Sequence, residues 1–232
     1  MSGVDWRSRA GGRSRPDDAR YAQVLRFPNR QELKRRFPPL VVGLLVLGFS
    51  IGFEVRAELG LAPWDVFHQG IANTFDVSFG LVVVLVGLLV LLTWIPLHQH
   101  LGLGTILNTL SIGLIANLGL ALIPEQHLLA VRIPFLVIAL LGFGLGGGLY
   151  IGSGLGPGPR DGLMTAITAR GHRLWVVRTI IECSVLVVGI ALGGDIGIGT
   201  VLIAFLIGPL THTALRRFHL PVHDDAPEVL GE

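Results

Sequence analysis

Two aspartates stand at matching corners of an otherwise apolar chain. Leu59-Gly-Leu-Ala-Pro-Trp-Asp65 and Leu155-Gly-Pro-Gly-Pro-Arg-Asp161 align without a gap, superposing Gly60 on Gly156 and Pro63 on Pro159. A helix broken by glycine and proline leaves backbone amides and carbonyls unpaired, and within a membrane such breaks survive only where protein or a cavity covers them. Two compatible roles are open to Asp65 and Asp161: capping the helix that follows, typically worth about 1 kcal/mol, and holding a cation or proton in the cavity. Arg178 and Glu182 add a second set of charges inside one apolar run. Four residues apart, they share a helix face and can pair. A lone charge in hydrocarbon costs about 2.5–3.5 kcal/mol even on a lenient insertion scale, so the pair is expected to face the bundle interior. Arg178 lies near the helix end and can also snorkel outward; Glu182 lies deeper. Arg160, beside Asp161, and Asn108, just after a Gly-Leu-Gly-Thr turn, complete the candidate solute- or ion-binding set.

The elements that position these residues come in two copies. After each corner follows a second landmark, Leu101-Gly-Leu-Gly-Thr105 and Ile196-Gly-Ile-Gly-Thr200, so the chain reads as one unit of roughly 95 residues written twice. Uncharged or nearly uncharged runs long enough to cross a bilayer cover 37–53, 77–97, 101–124, 133–159, 174–194 and 196–215. Between the first and second run of each unit lies a shorter piece, 66–75 and 162–171, that cannot cross alone and is either interfacial or re-entrant. The expected fold is all-α: a polytopic membrane bundle of six transmembrane helices, arranged as two inverted three-helix repeats over 37–124 and 133–217.

With 51% hydrophobic and 15% charged residues and a mean hydropathy of +0.66, the composition excludes an ordinary soluble domain. Ten of the eighteen Lys and Arg fall in the first 36 residues against four acids. That stretch reads as a disordered basic tail serving as a cytoplasmic topology signal, with Lys34, Arg35 and Arg36 among lipid headgroups and no nucleic-acid motif. The 218–232 segment reads as a second disordered tail. Placing both termini in the cytoplasm puts Arg160, Arg170, Arg173, Arg216 and Arg217 inside and leaves only Arg56 and Arg132 near the outer face. Glu54, Arg56 and Glu58 then form an interfacial belt, of which Glu54 alone can reach inward. Asn117 and His212 read as polar groups that join helices. The glycine-dense helix 133–153, with Gly144 and Gly148 on one face, predicts close packing within the chain or a homodimer.

No phosphate-binding loop, Cys pair or His-Glu-x-x-His zinc pattern is present, so no cofactor or metal is expected. Ser153 and His212 lie towards the ends of two spans, but Ser153 lacks a Gly-x-Ser-x-Gly elbow, and an intramembrane enzyme is not expected.

Leu-Gly-Leu-Ala-Pro-Trp-Asp, Gly-Leu-Gly-Pro-Gly-Pro-Arg-Asp-Gly-Leu-Met and Ile-Gly-Ile-Gly-Thr-Val-Leu, in this order within six spans, resemble the YczE/YyaS/YitT group of bacterial integral membrane proteins over residues 36–217. The resemblance implies a plasma-membrane location and a role in transport, and brings no catalytic residues with it. From the residues, two functions are expected: a permease for a small solute, or a non-transporting membrane subunit that serves a soluble partner.

Overall fold

The computed structural model of the protein describes residues 30–99 and 101–218. Among them are eight helices and no strand: α1 (Arg30–Ala57), α2 (Pro63–Phe75), α3 (Phe79–Leu97), α4 (Leu103–Leu122), α5 (Leu129–Gly152), α6 (Pro159–Thr168), α7 (Leu174–Ala191) and α8 (Ile198–Phe218). All but α2 and α6 are long and apolar enough to cross a membrane. Large apolar side chains such as Leu89, Ile95, Leu114 and Phe205 stay exposed on their outer faces, where lipid rather than water is their solvent.

Two boundaries differ from expectation. The first helix begins at Arg30 and runs through Pro38 and Pro39, so residues 30–36 are helical; the remainder of the expected basic tail, and all of 219–232, lie outside the described residues. Arg36, expected among headgroups, is buried within the protein, and its Nη1 donates to the Ser153 carbonyl at 3.0 Å, just past the end of α5. The fourth apolar run, read as continuous to residue 159, breaks at Gly152; the chain turns through 153–158 and restarts as α6.

α1 and α5 form the centre and run antiparallel. Arg36 near the start of α1 meets the end of α5, whereas Arg132 in the first turn of α5 donates to the Ala57 carbonyl at 2.7 Å where α1 stops. α4 packs on α1 and α8 on α5. Gly144 and Gly148 lie against Leu210 and Ala214 of α8, so the packing of these glycines within the chain is realised. The two short helices cross over: α2 packs on α7 and α6 on α3. One relation has no counterpart, since α3 packs on α4 but α7 and α8 scarcely touch. An apolar core of Ile51, Phe79, Val83, Ala116, Ala139 and Phe143 ties α1, α3, α4 and α5 together. Asn117 closes the start of α3, its Oδ1 accepting from Gly80 N at 2.8 Å and its Nδ2 donating to Ser78 Oγ at 3.2 Å, as expected of a polar group joining helices.

The corners and the Gly-x-Gly-Thr turns lock together. Leu59 O accepts from Gly199 N at 2.7 Å, and Leu155 O accepts from Gly104 N at 2.8 Å. Each corner is thus held by the turn of the other half. Gly60 makes its bend at φ 100°, and a side chain there would put Cβ 2.3 Å from Gly197 N. Only glycine allows both that φ and that approach.

Candidate functional site

α2 and α6 both begin with proline at the first helical position, where a missing N–H costs nothing and the fixed φ suits the helix. This places the N-caps at Ala62 and Gly158, and neither helix has a side-chain cap from its own corner. The capping role expected of Asp65 and Asp161 is therefore overturned: the aspartates fall two positions beyond the prolines, with their carboxylates available for other partners. The carboxylate that reaches the exposed start of α2 is Glu54, from the last turns of α1. Its Oε1 accepts from Ala62 N at 2.6 Å, and the residue is fully buried. Of the residues read as an outer belt, Arg56 pairs with Glu125 and Glu58 with Arg132, while Glu54 turns inward.

Between the two corners lies a cavity of about 650 Å³. All six predicted site residues, Asp65, Asn108, Arg160, Asp161, Arg178 and Glu182, line it, together with Pro63 and Pro159. Gly60 and Gly156 stand behind the wall in the corner clasps. Much of the remaining lining is apolar, including Ile51, Val83, Val86, Phe143 and Ile207.

The charges form two groups. At the first corner Asp65 is 2% exposed; its Oδ1 lies 3.1 Å from His68 Nδ1 and 3.4 Å from Arg160 Nη2, which comes from the second corner. The Arg160 guanidinium also stacks over Trp64, 5.0 Å from the ring centre, so its position is fixed by a carboxylate and an aromatic face at once. An ionised Asp65 keeps the His68 proton on Nδ1, since the carboxylate can only accept. In the second group Arg178 Nε donates to Glu182 Oε1 at 2.8 Å, the pairing expected from their spacing. Asp161 is exposed to the cavity within electrostatic range of Arg160, Arg178 and Glu182. Both arginines are thus engaged by carboxylates through one nitrogen each, Nη2 of Arg160 and Nε of Arg178, which leaves other guanidinium N–H groups for an incoming anion. Trp64 Nε1 and Tyr150 Oη, on cavity-lining residues, are buried without hydrogen-bond partners among the described residues.

Glu54, Trp64, His68 and Tyr150 were missed by the reading of the sequence as site residues. The signal for His68 was its place one helical turn after Asp65 on a short polar helix; Tyr150 is surrounded by glycines and carries no such mark. His212 lines the cavity, whereas Ser153 is fully buried with its hydroxyl donated to Tyr150 O at 2.7 Å.

The model of a family of unknown function, DUF6198, matches residues 34–216. An uncharacterized protein of Haemophilus influenzae is 40% identical over 187 residues, covering 78% of this chain and 86% of the relative. The uncharacterized membrane protein YczE of Bacillus subtilis is 32% identical, with 83% and 88% covered, and the uncharacterized protein YyaS of the same organism is 28% identical, with 74% and 88% covered. The resemblance drawn from the corner motifs holds for YczE and YyaS. No solved structure matches the chain.

Proposed function

This chain belongs to the family of unknown function DUF6198, and with a membrane protein of several spans as the premise we propose that it is a permease of the bacterial plasma membrane, moving a small solute through the cavity between its corners. The observation that carries the reading is the meeting of Arg160 from one corner with Asp65 from the other, at 3.4 Å, on the wall of a partly open cavity large enough for a metabolite. The crossed bonds Leu59–Gly199 and Leu155–Gly104, with the antiparallel course of α1 and α5, support an inverted repeat. In transporters of that design the midplane site lies where the two halves meet. The short helices α2 and α6 act as half-helices aimed at the site, with both termini in the cytoplasm. Arg178 and Arg160 receive an anionic group on the solute through the guanidinium N–H groups that their carboxylates leave, and the carboxyls exchange a proton or cation.

The test has two stages. Purified protein is screened by thermal shift against pooled metabolites, where a ligand bound at one hundred times its Kd adds about 2.7 kcal/mol; the stabilising compound is then offered, radiolabelled, to liposomes holding this protein alone. Concentrative uptake under an imposed proton gradient is expected. A bound solute that never crosses, together with an ATPase or enzyme partner that co-purifies and is lost when residues 1–29, which precede α1, are removed, refutes the permease and makes the chain a subunit of that partner.

A further inference from the structure

We propose that Glu54 and Asp65 form a proton-binding carboxyl pair, holding one proton between Glu54 Oε2 and Asp65. Glu54 is 0% exposed and Asp65 2%, and both residues are held at the same turn, where Ala62 N donates to Glu54 Oε1 at 2.6 Å and Asp65 N donates to Ala62 O at 2.8 Å. The donors around them are already assigned. Ala62 N serves Glu54 Oε1, and His68 Nδ1 and Arg160 Nη2 both serve Asp65 Oδ1. Glu54 Oε2 is left buried with no partner among the described residues. Two carboxylates held at one turn and out of water repel, and an unpaired buried charge is strongly destabilising. A proton on one of them turns the repulsion into an O–H···O⁻ bond, which is among the stronger hydrogen bonds available to side chains.

The surroundings favour a proton over a second cationic side chain. Arg160, from α6, is the guanidinium within reach and is already shared between Asp65 and Trp64. From α5, Arg132 is spent at the outer face on Ala57 O and Glu58. His68, on α2 itself, supplies one N–H to Asp65. Across the cavity α7 offers Arg178, paired with Glu182, and α8 offers His212; neither is bonded to the Glu54–Asp65 pair. Asp65, Asp161 and Glu182 line the cavity with two guanidiniums, Arg160 and Arg178, and the buried Glu54 adds a fourth carboxyl at the Ala62 turn, so carboxyls are in excess. With one proton the cluster of Glu54, Asp65 and Arg160 is neutral; without it the cluster carries one negative charge. Because Glu54 Oε1 also holds the amide of Ala62, the N-cap of α2, loss of the proton acts on the helix that carries Asp65 and His68 into the cavity. The use of this proton in solute movement rests on the permease reading; its presence does not.

Infrared difference spectroscopy of the purified protein in lipid tests the pair directly. At neutral pH the wild type is expected to show the carbonyl stretch of a protonated carboxyl group that disappears under strong alkali. Glu54→Gln and Asp65→Asn, whose amides donate to the remaining carboxylate and so preserve the fold, are each expected to lose that band, whereas Glu125→Gln at the outer face keeps it. A folded protein that holds a proton the unfolded chain releases is destabilised as pH rises, so the melting temperature of the wild type should fall towards alkaline pH more steeply than that of Glu54→Gln. Absence of the band in the wild type, its survival in both amide variants, or its replacement by stabilisation with sodium over choline chloride overturns the proposal. A band that behaves as expected in a protein that transports nothing sustains the proton site and rejects the permease alone.

Discussion

Gly60→Ala is the most direct perturbation of the clasp between the halves. The new Cβ lies 2.3 Å from Gly197 N and 2.6 Å from Gly197 Cα, both backbone atoms that cannot swing aside, so the corner must retreat from the Gly-Ile-Gly-Thr turn. Gly171→Ala supplies the control: Gly171 has φ 97°, close to the 100° of Gly60, and nothing within 4 Å of its added Cβ. Backbone strain, about 1–2 kcal/mol for an L residue in the left-handed region, is common to both and cancels. What remains is overpacking, about 1–3 kcal/mol, and the weakened Gly199 N to Leu59 O bond, about 0.5–1.5 kcal/mol. The excess cost of Gly60→Ala is about 3 kcal/mol, which at 2–4 °C per kcal/mol for a chain of this size separates the melting temperatures by roughly 6–12 °C. Thermal unfolding of both variants in the same lipid, followed by circular dichroism, measures it. Equal melting temperatures refute the claim that the clasp holds the corner.

Three further outcomes follow from the same geometry. Thr105 Oγ1 donates to Pro157 O at 2.7 Å and accepts from Gly102 N at 3.3 Å, while Thr200 Oγ1 accepts from Gly197 N at 3.2 Å; Thr105→Val should lower stability by about 1–3 kcal/mol and by more than Thr200→Val in the same unfolding assay. Asn117→Leu removes the acceptor for Gly80 N and should cost about 1 kcal/mol, the usual value of a lost cap, seen as faster amide exchange at the start of α3. In a Cys183→Ser background, Asn73→Cys and His172→Cys should label with an impermeant thiol reagent from opposite sides of the membrane; labelling from one side removes the inverted arrangement.

The membrane class, the six spans and the cavity residues were readable because each rests on a residue type with a strong physical penalty. Charges at 178 and 182 inside an apolar run must find partners or a cavity, and they found both. The clasp was not readable, although both of its landmarks were: glycine marks a place where backbones approach but carries no group that names the partner. The misassigned caps were legible in principle, because Pro63 and Pro159 at the first helical position fix the caps at Ala62 and Gly158 and leave the aspartates inside the first turn. Glu54 was hidden by its neighbours. Placed beside Arg56 and Glu58 near the end of an apolar run, it shares their composition, and only the three-dimensional return of Ala62 to α1 turns it inward. The early start of α1 escaped because six polar residues around Leu33, three of them adjacent bases, read as solvated tail, whereas burial of Arg36 against Ser153 O makes the segment part of the bundle.

The crossed bonding of corners to turns also orders the biogenesis of the protein. A ribosome delivers Leu59 long before Gly199, which lies in the last described helix. The first corner therefore enters the bilayer with its carbonyl unclaimed and is completed only when α8 is laid against α5, while the second corner meets a turn already made. A nascent chain arrested before α8 should expose residues around Leu59 to proteolysis and those around Leu155 much less.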